Sequence, residues 1–504
     1  MSRAAILSDR QKTELNKAVL QYIEPFITAS QFEQIRSALT PLNDDPIIQN
    51  FLEKKWGTVG RLQHENLKLR TENEQLRKVV LSQTSPDQLE MSKDKINWLP
   101  QIRSKKFDTV NAQVVNSVVI HPYRAQISAG CADGTLIVWN LVDDESNVPH
   151  KIIKAHTTAI NCLMWSRTPI QFFKKPKTSV IASCSSDLLI KIWDGDTFTE
   201  LRSLEGHKHI VSSVAWSKSR PETLYSVSKD NTIRIWDVVN GTHREITGHS
   251  DWVRAIDVAS ADENWQSPLG SGPSSKFGDF ILTSSNDGSV RLTHAKSATA
   301  VAQALGHNHV VETVKFLPKL SNSYIDKFLE DNINLFPDLP TELISSAVFC
   351  EELGYKYCIS GGRDNSIKLW LLPPPEIVPD GSLKKSRMNN SRAWLIAELN
   401  EHSSWVKCLS IHPSGRFFFS GSDDKSIKIW DLAGLKSDGK INCVRTLIGH
   451  ENFVNSVDFA RVDVELEQVE AENITEANIL SHIEEKLRKL LVSAGSDNLV
   501  YLWK

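Results

Sequence analysis

Short runs in which β-branched and polar residues alternate recur seven times along the chain. They are CADGTLIVW (131–139), SSDLLIKIW (185–193), SKDNTIRIW (228–236), SNDGSVRLT (285–293), GRDNSIKLW (362–370), SDDKSIKIW (422–430) and GSDNLVYLW (495–503). An aspartate stands six positions before the last residue of each: Asp133, Asp187, Asp230, Asp287, Asp364, Asp424 and Asp497. Small residues precede the aspartate and a turn triplet contains it, so the pattern predicts a tight hairpin feeding a strand. Ahead of six of the seven stands a histidine (His156, His207, His249, His307, His402 and His450), followed by a strand spaced as in HKHIVSSVAW. Repeats of this size cannot bury an apolar face alone and must stack on their neighbours.

The glycine-histidine and tryptophan-aspartate marks of these units resemble the WD repeat. That resemblance implies an all-β, seven-bladed propeller of four-stranded blades, placed at residues 102–504. The stretch KKFDTVNAQVVNSVVIHP aligns with LRSLEGHKHIVSSVAWS, with Asn111 in the histidine place. Residues near 103–109 are therefore expected to supply the outer strand of the last blade and to remove an open edge. In WD repeats the histidine, turn aspartate and strand tryptophan join a Ser or Thr in a buried network, so the resemblance makes these histidines structural rather than catalytic or metal-binding. Thr293 stands where blade four should carry tryptophan, which predicts an incomplete network there. Insertions at 166–178, 259–278, 318–355, 373–393 and 460–490 all fall on connections to one face of such a ring. The opposite face, built from the aspartate turns and histidine loops, stays compact. Within the last insertion NILSHIEEKLRKLL has helical spacing and is expected to pack under the ring.

Ahead of the repeats the periodicity changes. Residues 8–24 and 30–40 read as two short helices with capping boxes at Ser8/Gln11 and Ser30/Glu33. Their apolar stripes (Leu15, Val19, Tyr22, Ile23, Phe26; Phe32, Ile35, Leu39) are too short to be buried alone, so region 1–42 is expected to pair with a second copy. It resembles the LisH dimerisation motif, although Pro25 falls between the helices. Over 54–83, Leu62, Leu69 and Leu76 recur every seventh place, with Val59, Asn66, Asn73 and Val80 at the partner seam positions. Leu at d with Val and Asn at a favours a parallel two-stranded coiled coil, in which paired asparagines fix register at some cost in stability. The other reading is a single amphipathic helix lying on the propeller. The polar stretch 84–101 reads as a linker.

With 504 residues and a formal net charge of −3, bulk charge lends no support to a nucleic-acid or anionic-membrane role. No apolar run of 18 residues occurs, and no membrane insertion is expected. The seven cysteines form no C-x-x-C pair and read as reduced thiols of an intracellular protein. Phosphate loop, G-x-S-x-G and metal-ligand spacing are not found, so an enzyme, a metal and a cofactor are not expected.

Residues just before each turn aspartate, and just after each histidine, point to the compact face. Lys229, Trp252, Arg254, Arg363, Trp405, Lys407 and Lys425 stand out among them. HSDWVRAI (249–256) and HSSWVKCL (402–409) place tryptophan beside a cation in matching spots, and aromatic plus arginine is the composition of interface hot spots. Other blades hold Ala159, Ile210, Val310 and Phe453 in the tryptophan place, which argues for some burial there. Trp405 reads as a contact residue, and Trp252 stays open between core and contact.

LisH-like helices, EKKWGTVGRLQ, a short coil, WLP at 98–100 and a seven-bladed propeller occur in that order. This order resembles the lissencephaly-type nuclear distribution proteins (Lis/Pac family), and a fungal member. The resemblance implies a non-enzymatic homodimer that binds the dynein heavy-chain motor domain with one propeller face. It also implies relief of autoinhibition and delivery to microtubule plus ends and the spindle pole in the cytoplasm, for nuclear migration and spindle positioning. NudE-type coiled-coil proteins and plus-end tracking proteins are the implied further partners. Family members grip dynein at the positions of Lys229, Arg254, Arg363, Trp405 and Lys425, and Lys229 replaces the usual arginine, which loses bidentate pairing. The alternative is a LisH/WD-repeat adaptor of a ubiquitin ligase or chromatin complex, although no ligase-docking box is apparent.

Overall fold

The computed structural model describes residues 31 and 35 and, between 99 and 504, all residues except 110–111, 123, 125, 142–147, 173–176, 261–276, 347–348, 350–352, 376–391, 437–438 and 461–490. Gln31 and Ile35, inside the second predicted helix, are helical. The remaining N-terminal readings, the seam at 59–80, Asn111 and the helix expected in 460–490 lie outside the described residues.

Blade six shows how the repeat folds. Its strands Val406–Ile411, Phe417–Ser422, Ser426–Leu435 and Ile441–Ile448 pair antiparallel in sequence order. The second strand, FFFSGS, is buried at every residue, because the neighbouring blades cover both of its faces. The small residues at its end are a packing requirement. A Cβ on Gly421 would lie 2.6 Å from Cys408 Sγ and 2.8 Å from Val454 Cγ1 of the next blade. Among the described residues seven such four-stranded sheets form. Their first strands (Val115–Ile120, Ile160–Trp165, Val211–Trp216, Val253–Ala259, Val311–Phe316, Val406–Ile411 and Val454–Phe459) contact one another in a closed ring. Side chains of one inner strand cap backbone groups of the next: Ser117 Oγ accepts from Leu163 N at 3.0 Å, and Asp257 from Phe316 N at 2.8 Å.

The ring closes as the sequence implied. Arg103–Asp108 pairs with Leu499–Trp503, matching Phe107 to Val500. Phe107, 2% exposed, also packs on Trp139 of blade one at 5.6 Å between ring centroids. Residues 99–101, at the end of the stretch read as a linker, pack on the ring. Leu99 is buried, its carbonyl accepts from Arg445 Nη1 at 2.8 Å, and Gln101 N donates to Lys504 O at 2.8 Å.

The histidine networks form with a fixed direction. In blade six His402 Nδ1–H donates to Asp424 at 2.7 Å, and Trp430 Nε1–H donates to Ser420 Oγ at 2.8 Å. Ser420 then gives its own proton to His402 Nε2 at 2.6 Å. Blades two, three, five and seven repeat the arrangement with His156–Asp187, His207–Asp230, His307–Asp364 and His450–Asp497. Both nitrogens of each ring are thereby occupied, which leaves none for a metal or for acid–base work. Burial alone would raise the carboxyls of Asp230, Asp287, Asp364 and Asp424. The imidazole, hydroxyl and backbone donors outweigh it and hold them well below the ordinary range. Blade four keeps His249, Asp287 and Thr283 but, with the buried Thr293 in the tryptophan place, lacks the indole donor, as expected. In blade one Asp133 caps Thr135 N at 2.9 Å, and the buried Trp139 Nε1 and Ser128 Oγ find no partner among the described residues.

The insertion at 318–355 holds an element that the repeat pattern did not predict, helix α1 (Asn322–Asp331). Its Ile325, Phe328 and Leu329 fall on one face and are buried against blades five and six. Asp326 accepts from Lys356 Nζ and from Tyr357 Oη, each at 2.6 Å, and pins the helix to the second strand of blade five.

Candidate functional site: the compact face

Every blade builds this face with one backbone bond. The N–H of the residue before the turn aspartate donates to the carbonyl three places after the histidine: Lys229 to Ile210, Asn286 to Trp252, Arg363 to Val310 and Asp423 to Trp405, at 2.9–3.0 Å. Ala132, Ser186 and Ser496 do the same to Val114, Ala159 and Phe453. This bond brings side chains from two separated sequence positions together at the rim of a central channel of about 410 Å³.

Three aromatic–cation clusters result. Lys229 Nζ lies 4.6 Å from the Trp252 ring centroid and Arg254 Cζ lies 5.5 Å from it, so one indole serves two cations from blades three and four. Arg363 Cζ stands 4.2 Å over Trp405, and Lys407 Nζ 5.6 Å over Phe453. Such stacks on exposed rings each contribute about 0.5–1 kcal/mol. Lys425 joins none of them. It is exposed on the turn of blade six at φ 70°, the left-handed position that Gly134 and Gly288 fill in blades one and four.

The burial expected at the tryptophan place is partial. Trp252, Trp405 and Phe453 are 36%, 38% and 42% exposed, and Val114, Ala159, Ile210 and Val310 are only half-buried. The position is a ring of surface residues whose carbonyls, rather than side chains, do the structural work. Trp252 and Trp405 are similarly exposed, and Phe453 is a third exposed aromatic at this place.

Two carboxylates, which the sequence reading left out of the site, organise the cations. Glu312 accepts from Arg363 Nε at 2.5 Å and lies 4.0 Å from Arg254 Nη1. Asp423 pairs with Lys407 at 3.3 Å. Arg254 Nε also donates to Asn286 Oδ1 at 2.7 Å. Burial, then the Arg254 charge, pull the Lys229 ammonium below its ordinary value, and Glu312 acts against them. Burial raises the Asp423 carboxyl, and Lys407 acts against that. Glu312 occupies the same inner-strand place as Arg254 and Lys407, directly after the valine, so register alone could have found it.

Lys229, Arg254, Arg363, Lys407 and Lys425 outnumber Glu312 and Asp423, and the face presents cations on flat apolar rings. That chemistry suits an acidic surface with apolar side chains among its carboxylates. The asparagine half of the ring differs. Asn116, Asn161 and Asn455 spend their amides on the carbonyls of Ile160, Val211 and Val115 of the next blade.

A family model described as "WD domain, G-beta repeat" matches residues 105–140, 147–194, 198–237, 241–293 and 393–431. The chain is 48% identical to nuclear distribution protein PAC1 of Scheffersomyces stipitis and 43% identical to that of Candida albicans, covering all of both chains in each case. It is 28% identical to nuclear distribution protein nudF of Aspergillus niger over 99% of both chains.

Proposed function

The chain belongs to the nuclear distribution protein family of PAC1 and nudF, and from that membership we propose that it is a dimeric, non-enzymatic regulator of cytoplasmic dynein. Its compact propeller face meets an acidic surface of the motor domain through Lys229, Trp252, Arg254, Arg363, Trp405, Lys407 and Lys425. By binding one conformation of the motor better than another it shifts the motor from its autoinhibited state. Residues 1–42 and 54–83 supply the dimer, which presents two such faces at microtubule plus ends and the spindle pole for nuclear migration and spindle positioning. A NudE-type coiled-coil protein and a plus-end tracking protein are its further partners.

The observation that carries this reading is the pair of tryptophans, each more than a third exposed and each lying under a guanidinium or ammonium. Exposed indoles are costly on a surface without a partner, and Trp and Arg dominate interface hot spots. The test is the affinity of the full chain for a dynein motor domain. Arg254→Ala, Arg363→Ala and Trp405→Ala should each weaken it by roughly 1–4 kcal/mol with the melting temperature little changed. A triple variant that binds as tightly as wild type refutes the face. Light scattering on protein lacking residues 1–98 should report a monomer, and a dimer there refutes the stalk.

A further inference from the structure

The inner-strand place after the valine forms a ring around the channel mouth: Asn116, Asn161, Ser212, Arg254, Glu312, Lys407 and Asn455. Glu312 is the one carboxylate in it. Its side chain is 13% exposed, and its two oxygens reach guanidiniums contributed by different blades, Arg363 through Nε and Arg254 through Nη1. Both arginines are held inward through Nε, Arg363 by Glu312 and Arg254 by Asn286. The Arg363 guanidinium is at the same time laid over Trp405. No other hydrogen bond within the described residues uses the two Nη groups of Arg363.

We propose that Glu312 is the positioning residue of the compact face: it fixes the Arg363 guanidinium through Nε so that its Nη edge is left, already ordered, for the partner, and it steadies Arg254 beside it through Nη1. This rests on the motor-binding reading above and deepens it. Two effects of opposite sign compete at this position. A carboxylate beside the site lowers the positive potential that attracts an acidic partner, an effect that acts on the association rate and is screened by salt. The same carboxylate removes the rotamer freedom of two long side chains before binding, which lowers the cost of association. An arginine anchored through Nε keeps its bidentate edge free, so ordering outweighs the charge.

The experiment compares full-length wild type, Glu312→Ala and Glu312→Gln for affinity to the motor domain, each also in an Arg363→Ala background. Positioning predicts about tenfold weaker binding for Glu312→Ala, expressed as faster dissociation. Glu312→Gln keeps an acceptor for Arg363 Nε and should lose about threefold. In the Arg363→Ala background the effect of Glu312→Ala should shrink to about twofold or less, because only the longer contact to Arg254 remains. Binding that is unchanged or tighter in Glu312→Ala, with wild type binding normally, overturns the proposal. If Glu312→Ala does not fold, the near-isosteric Glu312→Gln decides on the same terms. Failure of wild type to bind the motor at all refutes the motor reading instead. A readout without the motor separates the two: fluorine NMR of fluorotryptophan-labelled protein, with Trp405 assigned by Trp405→Phe. Its resonance should move in Glu312→Ala, and an unmoved resonance overturns the proposal.

Discussion

Ser420→Ala tests whether the directed histidine network stabilises a blade through the groups it satisfies. Ser420 is fully buried and joins two neighbours, accepting from Trp430 Nε1 at 2.8 Å and donating to His402 Nε2 at 2.6 Å. Serine and alanine are nearly equal in volume, so the substitution opens no cavity of consequence. Its cost is the desolvation of two buried groups left without partners, about 1–3 kcal/mol each. Partial relaxation places the expected loss at about 2–4 kcal/mol, read as a lower urea midpoint of the propeller transition. Blade four supplies an internal control. Thr283 there donates to His249 Nε2 at 2.8 Å, and Thr293 stands in place of the indole. Thr283→Val therefore orphans one group rather than two and should cost about half as much. Equal losses in the two blades, or a Ser420→Ala midpoint within experimental error of wild type, would refute the argument.

Three further outcomes follow from the same contacts. Burial lowers the pKa of His156 and His249, and pushes His121 and His412 down to about 4. A histidine lowered in the folded state contributes stability that is present above its unfolded value of about 6.5 and lost as pH falls below it. The lowered network aspartates contribute in the same sense below about 3.8, so the melting temperature should be flat above pH 7, decline below 6.5 and fall steeply below 4. A melting temperature that rises from pH 7 to pH 5 contradicts this. Gly449→Ala should destabilise by about 1–3 kcal/mol in urea denaturation, because a Cβ there would lie 2.8 Å from Trp503 Cη2. Lys425→Gly should raise stability by about 1 kcal/mol, since it relieves a left-handed backbone at φ 70°, while weakening motor binding. A gain in both contradicts the binding role, and a loss in both contradicts the backbone strain.

The blades were legible because their contacts repeat. An aspartate followed by a turn and an alternating strand recurs seven times, and each recurrence reports the same backbone pairing. Closure by 103–108 was legible for the same reason, as the one blade otherwise missing a strand. Helix α1 was not, because it lies in an insertion that no other blade shares and is held by contacts that do not repeat, Asp326 to Lys356 and Tyr357 and the burial of Ile325, Phe328 and Leu329. Trp252 stayed open between core and contact because a mixture of Ala, Ile, Val, Phe and Trp at one place looks like a core position. What those residues share is the carbonyl that accepts the turn N–H, and side-chain identity carries no trace of it.

Glu312 shows why the site lies where the repeat breaks down. On the side of blades seven, one and two, an asparagine in the inner ring bonds the carbonyl of the next blade at 2.8–2.9 Å, a neutral bridge between inner strands. In blades four, five and six the same place holds Arg254, Glu312 and Lys407, and those amide bridges are gone. Their replacement is a set of partly buried ion pairs, whose desolvation cost offsets much of their attraction. The fold therefore gives up neutral inter-blade bonds on one side of its axis and gains little stability in return. What it gains is orientation: guanidiniums anchored through Nε with indoles beneath them. Under the proposed function the charged half serves a partner that reads ordered cations on aromatic faces, and the stability it gives up is the signature expected of such a face.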